Sequence, residues 1–402
     1  MSVDRLPSGL YRVRVADRGV RGTAGTRRVT IGVYPTKKLA KTALVKAIEK
    51  RDAGVRFVPD RVTLNHLGDR HIAACRERGL SDTTTHRYQQ LWDSYIRDRI
   101  GETRVADLSP LQLETYYAQL MRAGGTTRRG RAKNAAPGKP RPLSPRTVGH
   151  VHGLLQATLN WALRLELVSR NPAAVARPPA GSRRPGKAFE EHEVDALLDT
   201  AERYRIGPLI AFVLETGLRR GELAGLRWDD VDLGRAVATI RGAIAQVPGR
   251  TWYKSTKQDS VKGVALSTAA IAALRTQRTR QAAEKLFGGT AYRDEGFVFA
   301  PPLGGYPSPG SLGNAVRRVA KRAGLELTKL HAARHTTATV LLRQGEDLAT
   351  VAAVLRHSSS STTLATYAHE VVGAQRAAVG RAGDERAARR ARRNGTPCER
   401  PA

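Results

Sequence analysis

The chain has 402 residues, more than one hydrophobic core usually serves, so two or three domains are expected. Its 68 Lys and Arg against 36 Asp and Glu leave a formal charge of +32, a field that attracts a polyanion and makes nucleic acid the leading partner. Cys75 and Cys398, far apart, offer neither a disulfide framework nor a thiolate zinc site, and no apolar run nears the ~20 residues that span a bilayer.

From charge alone, a ribosome-associated or simply arginine-rich protein fits as well. The opening residues lack an apolar signal core, so a cytoplasmic protein in a reducing compartment, without membrane contact, is expected.

The first segment alternates as strands through Leu10–Val15 and Arg28–Tyr34, and Thr36 caps a helix from Lys37 to about Arg51. From Asp60 to Pro179 the pattern is helical, with helices over Thr63–Arg78, Ser81–Arg99, Ser109–Arg122 and Ser144–Leu167. Ser81, Ser109 and Ser144 stand where caps belong. Between them, Ala123–Pro142 reads as a basic loop, either tracking phosphates or merely solvated. Asn171-Pro172 closes this region, and the proline-rich, basic stretch Ala176–Lys187 reads as an interdomain linker. A mixed domain follows, with helices from Glu190, Ile206 and Thr268 around strands at Ala236–Ile240 and Lys262–Leu266. Beyond Val372 no core-forming residues remain, and a partly disordered basic tail is expected.

Chemistry-bearing residues gather in three stretches. In Glu215–Leu223, an apolar helix ends at Gly217 and Arg219 follows, with Glu222 one turn on to orient it. Taken alone, a surface arginine paired to a surface glutamate is the commoner case. In Leu330–Thr337, His331 and Arg334 share a helical face, where Arg can clamp phosphate oxygens and His can exchange a proton near neutral pH. The polar stretch Leu355–His369 follows a helix through Leu348, Val351 and Val354, and holds His357 and Tyr367. Periodicity by itself promotes none of these residues.

In this order, the three stretches resemble the tyrosine recombinase, or phage integrase, family. The family's TGLR-x-x-E, H-x-x-R-H and GHSS-to-Tyr patterns are matched at Thr216–Glu222, His331–His335 and His357–Tyr367. One departure is visible, Arg356, where the family more often carries Gly. The family also places a Lys on a β-hairpin turn between the first Arg and the His. Lys257 fits that place, with Lys254 and Lys262 as competitors because the register is not fixed by sequence.

The resemblance implies a multidomain, mainly α fold with small β elements. Residues 1–56 would be an amino-terminal β-sheet unit binding arm-type DNA, and 60–179 a helical domain binding core sites. Residues 187–372 would form a mixed α+β catalytic domain, with 373–402 as tail. Together the domains would clamp duplex DNA.

The resemblance also implies a chemistry. Tyr367 attacks the scissile phosphate, Arg219 and Arg334 neutralise the nonbridging oxygens, and His357 adds a hydrogen bond there. Lys257 protonates the departing 5′ oxygen, His331 assists proton transfer, and Glu222 orients. The 3′-phosphotyrosyl link lets strands reseal without ATP, and no metal or cofactor is demanded. The expected partners are double-stranded attachment-site DNA, a homotetramer on that DNA, and DNA-bending and directionality factors. A type IB topoisomerase, or a DNA-binding regulator without catalysis, remains an alternative at this point.

Overall fold

A computed structural model describes residues 2–16, 28–52, 62–126, 140–181, 187–255, 262–326, 330–356 and 383–390. The chain divides into two compact units, Met1–Arg183 and Arg184–Ala402, with the division falling inside the proline-rich basic stretch. None of the described helices is long and apolar enough to cross a membrane.

The amino-terminal part of the first unit is a three-stranded antiparallel sheet, β1 (Ser2–Arg5), β2 (Tyr11–Ala16) and β3 (Arg28–Tyr34), followed by α1 (Lys37–Asp52). Alternation in β2 buries Val13 and Val15 together with Ala40 and Ala47 of α1, and leaves Arg12 and Arg14 to pair with Asp4. The Thr36 hydroxyl accepts the Leu39 backbone N–H, the expected cap of α1. Strand β1 was not expected, because its pairing with β2 is a non-local event and its four residues carry little pattern of their own.

The rest of this unit is helical: α2 (Leu64–Glu77), α3 (Asp82–Leu91), α4 (Pro110–Ala123) and α5 (Pro145–Arg164) around a core that includes Leu67, Trp92, Tyr117 and Leu155. Thr63, Ser109 and Ser144 cap α2, α4 and α5 through their hydroxyls. Ser81 stands at the cap position of α3 but makes no cap bond to the backbone; its hydroxyl meets that of Thr84 at 2.8 Å instead. The expected single helix to Arg99 is α3 continued by a π turn, Trp92–Ile96, which sets Trp92 into the core. In the basic loop, short strands β4 (Gly125–Thr126) and β5 (Pro140–Arg141) pair, and the residues between them lie outside those described. A 3₁₀ turn, Pro172–Ala174, capped by Asn171, closes the region.

Buried His71 sits among α2, α3 and α5, 2.9 Å from the Thr158 hydroxyl and packed on Trp161. Burial, then Arg78 and Arg164, push its pKa down from 6.5 to about 4. A folded-state value below the unfolded one means that the neutral ring stabilises fully above about pH 6.5, and that this contribution is lost as pH falls toward 4. The loss amounts to about 3 kcal/mol. Protection factors of amides in α2 and α5, exchange measured relative to its intrinsic rate at each pH, are therefore expected to fall between pH 6.5 and 4, and His71→Gln should flatten that dependence.

The second unit builds its core around α7. Its elements are α6 (Glu191–Ala201), α7 (Gly207–Thr216), α8 (Arg220–Gly225), β6 (Val231–Asp232), β7 (Val237–Ile240), β8 (Gly242–Val247), β9 (Arg250–Ser255) and β10 (Lys262–Ala265). After these come α9 (Thr268–Gly288), α10 (Pro309–Arg322), α11 (Leu330–Arg343) and α12 (Leu348–Val354). Helix α7 is apolar on most sides because α6, α9 and α11 all contact it; Leu209, Ile210, Phe212 and Val213 are buried. Strands β6, β7 and β10 form one antiparallel sheet, and β8–β9 form a separate hairpin turning at Pro248-Gly249, where Gly249 takes φ 80°. The hairpin and α10 were not anticipated. Within the expected tail, residues 383–390 form an exposed helix, and the remainder lies outside those described.

Candidate active site

The described parts of the three stretches named from sequence, the third reaching only to Arg356, meet where α7 ends, α8 begins, α11 passes and α12 ends. Gly217 closes α7 with φ 58°, a left-handed conformation suited to glycine, and a Cβ there would stand 2.8 Å from Leu355 Cδ2. This tight exit delivers Arg219 to the cap position of α8. The Arg219 backbone N–H donates to Glu222 Oε2 at 2.8 Å, and its Nη1 donates to Glu222 Oε1 at 3.0 Å. Nη1 and Nη2 both donate to the Arg356 carbonyl, each at 3.1 Å, so two elements fix the guanidinium while 43% of the side chain stays exposed.

Arg334 comes from α11 and is only 2% exposed. Its Nη1 donates to the Gly217 carbonyl at 2.7 Å and its Nη2 to the Leu355 carbonyl, so it ties the ends of α7 and α12 together. The Thr337 hydroxyl, one turn on, donates to the Leu214 carbonyl at 2.8 Å and fixes α11 against α7. The two arginines, 115 positions apart in sequence numbering (Arg219 and Arg334), thus rest on neighbouring carbonyls, Leu355 and Arg356.

His331, one turn before Arg334, is exposed, and its ring stands edge-on to His335 with centroids 4.8 Å apart. Partial desolvation, then Arg334 and Arg219, hold the His331 pKa below its ordinary value, which keeps the ring neutral and able to accept a proton at neutral pH. His335 is pushed down further, to about 4, by burial and then by His331 and Arg334. His331 opens on a cleft of about 360 Å³ also lined by Arg220, Asn314 and Arg317. A more apolar groove of about 430 Å³, between Tyr204, Phe299 and Tyr306, contains none of these residues.

Arg219, Glu222, His331 and Arg334 therefore have defined positions. Lys257, His357 and Tyr367 lie outside the described residues. Lys254 is exposed on β9 opposite Ala243, and Lys262 opens β10, so the two competitors flank the segment that holds Lys257. Strand β9 pairs with β8, and β10 with β7. Among the described residues, no group of three or more His, Cys, Asp or Glu gathers at a metal-binding spacing.

Sequence reasoning noticed Arg356 only as a departure from a glycine. The structure makes it part of the cluster: its side chain is 5% exposed and its Nη2 donates to Glu222 Oε2. A charged residue at a helix exit where glycine is usual was the available signal.

The chain is similar to several known proteins. The phage integrase family profile matches residues 187–372. A tyrosine recombinase XerC-like protein of Caldanaerobacter subterraneus subsp. tengcongensis is 25% identical over 356 residues, covering 84% of this chain and 86% of that one. The ICEBs1 integrase of Bacillus subtilis is 22% identical over 378 residues, covering 92% and 95%. Among solved structures, the Tn1549 transposon integrase in complex with transposon right end DNA superposes with a TM-score of 0.64 at 20% identity, covering 80% of this chain and 99% of that one. A lambda integrase tetramer bound to a Holliday junction gives 0.53 at 16% identity, covering 89% and 96%. At these identities the solved structures speak for the fold.

Proposed function

We propose, on the premise that this chain belongs to the phage integrase family of tyrosine recombinases, that it is a site-specific DNA recombinase integrating or excising a mobile element. The observation that carries this reading is the meeting of Arg219 and Arg334, from separate elements, on the carbonyls of Leu355 and Arg356, immediately before His357.

In the proposed reaction the Tyr367 oxygen attacks the scissile phosphorus, a P–O bond to tyrosine forms, and the bond to the 5′ oxygen breaks. Arg219 and Arg334 neutralise charge growing on the nonbridging oxygens, which rigid, partly desolvated guanidinium groups do without reorganising. His331, kept neutral by its surroundings, takes the phenolic proton, and His357 donates to a nonbridging oxygen. Lys257 gives a proton to the leaving 5′ oxygen. Glu222 holds Arg219 in place. The 3′-phosphotyrosyl bond retains the phosphodiester free energy, so a 5′ hydroxyl from a second duplex reseals it. The same reading assigns residues 1–56 to arm-type sites, 60–179 to core sites, 187–372 to catalysis and 373–402 to the tail. It also has the chain work on DNA in the cytoplasm as a homotetramer aided by bending and directionality factors.

The test is covalent trapping on nicked duplexes tiled from DNA flanking the gene. A denaturation-resistant adduct mapping to the Tyr367 peptide is expected. Adduct with relaxation of supercoils but no joining of two duplexes would favour a type IB topoisomerase, and binding without adduct a regulator. Duplex affinity should also fall steeply with salt. Six or more neutralised phosphates predict a loss on the order of 10³ between 50 and 200 mM, and a flat titration would remove the electrostatic basis of the reading.

A further inference from the structure

Arg356 occupies a position that its residue type suits poorly. It follows Leu355, the residue that caps α12, its backbone N–H donates to the Ala353 carbonyl at 2.9 Å, and its φ is 52°. This is the left-handed exit where glycine avoids a Cβ clash and other residues are strained. The side chain is buried as well, and its Nε and Nη1 find no hydrogen-bond partner among the described residues. A strained backbone and a buried, half-satisfied guanidinium both oppose folding. Their persistence beside the arginine cluster calls for a compensating role.

That role follows from charge. Glu222 lies against Arg219 and would by itself offset the positive charge that Arg219 presents. Arg356 sits on the other oxygen of the same carboxylate, so the set Arg219, Glu222, Arg356 keeps a net positive charge, to which Arg334 adds. The Arg356 carbonyl, aimed by the left-handed turn, accepts two N–H groups of Arg219 at 3.1 Å each. The Nε and Nη1 atoms are buried without a partner among the described residues, so the contacts that Arg356 does make are those to Glu222 and Arg219.

We propose that Arg356 is a positioning residue for strand cleavage, which engages Glu222 and offers its own carbonyl to Arg219 so that the Arg219 guanidinium stays fixed, and its surroundings net positive, toward the scissile phosphate. The inference rests on the recombinase reading above.

The experiment compares single-turnover adduct formation, duplex affinity and thermal midpoint for the native full chain, Arg356→Gly, Arg356→Lys, Glu222→Gln and Arg356→Gly/Glu222→Gln. Arg356→Gly relieves the backbone and removes the unsatisfied donors, so its midpoint should hold or rise. Its cleavage rate should fall about tenfold or more while affinity changes less than about threefold, the pattern of a group acting on the reacting state. Arg356→Lys should recover part of the rate. The double variant should cleave faster than Arg356→Gly, because no unopposed carboxylate remains against Arg219.

Native-rate cleavage by Arg356→Gly would overturn the proposal, leaving Arg356 as an ordinary turn residue. A rate loss that tracks a falling midpoint and is not rescued by Glu222→Gln would overturn it equally. Absence of adduct from the native chain on every duplex would instead bring down the recombinase reading, and the inference with it.

Discussion

Arg334→Ala is expected to reduce adduct formation by roughly 10³-fold and to lower the thermal midpoint of the second unit as well. Under the proposed mechanism the catalytic part follows from the loss of one preorganised cationic donor for the phosphate, worth about 10²–10³ in comparable sites. The structural part follows from burial: Arg334 is 2% exposed and satisfies the Gly217 and Leu355 carbonyls at two helix ends. Each carbonyl left without a donor costs about 1–3 kcal/mol. For a unit of this size, about 3 kcal/mol corresponds to a midpoint shift of roughly 6–12 °C.

Arg334→Lys separates the two effects. A lysine keeps the charge, but a single ammonium does not span both carbonyls and a phosphate as a planar fork does. Its midpoint should lie between the native and Ala values, with cleavage still down by about 10²-fold. Near-native cleavage by the Lys variant would reduce Arg334 to a strut between α7 and α12. Circular dichroism melts read beside single-turnover trapping distinguish these outcomes.

What was legible in the sequence is mostly what is local. The caps at Ser109 and Ser144 were readable because a hydroxyl reaches a backbone N–H three residues on, and Gln112 completes the box at Ser109. Ser81 failed by the same locality, since Thr84 offered its hydroxyl a competing partner. The Arg219–Glu222 pair was readable from its spacing, whereas the burial of Arg334 was not, because its acceptors come from α7 and the end of α12. Pro248-Gly249 was an available turn signal for the β8–β9 hairpin. The hairpin escaped because the small alternating residues of Gly242–Val247 carry a weak strand pattern. Arg356 illustrates the opposite limit: the sequence marks an odd residue, but only the fold reveals that its charge is directed at Glu222.

Tyr367→Phe should abolish the covalent adduct, a loss of at least about 10⁴-fold set by detection, because the oxygen proposed as nucleophile is itself removed. An unperturbed phenol, with pKa ~10, is ionised in only about one molecule in a thousand at neutral pH. Attack therefore depends on neighbours that accept the proton and stabilise charge, a function the proposed mechanism gives to His331 and the two arginines. Three described tyrosines of the second unit are engaged otherwise. Burial and Asp230 push the Tyr253 phenol up, Tyr204 accepts from Arg322 at 2.6 Å, and Tyr292 accepts from Gln281 at 2.9 Å. Duplex affinity of the Phe variant should stay within about threefold of native, since phosphate contacts carry most of the binding and one hydroxyl carries little. If adduct persists in Tyr367→Phe, the nucleophile lies elsewhere and the attack geometry proposed around Arg219 and Arg334 must be abandoned. If affinity collapses along with the adduct, Tyr367 contributes to DNA binding, and trapping alone no longer identifies the nucleophile.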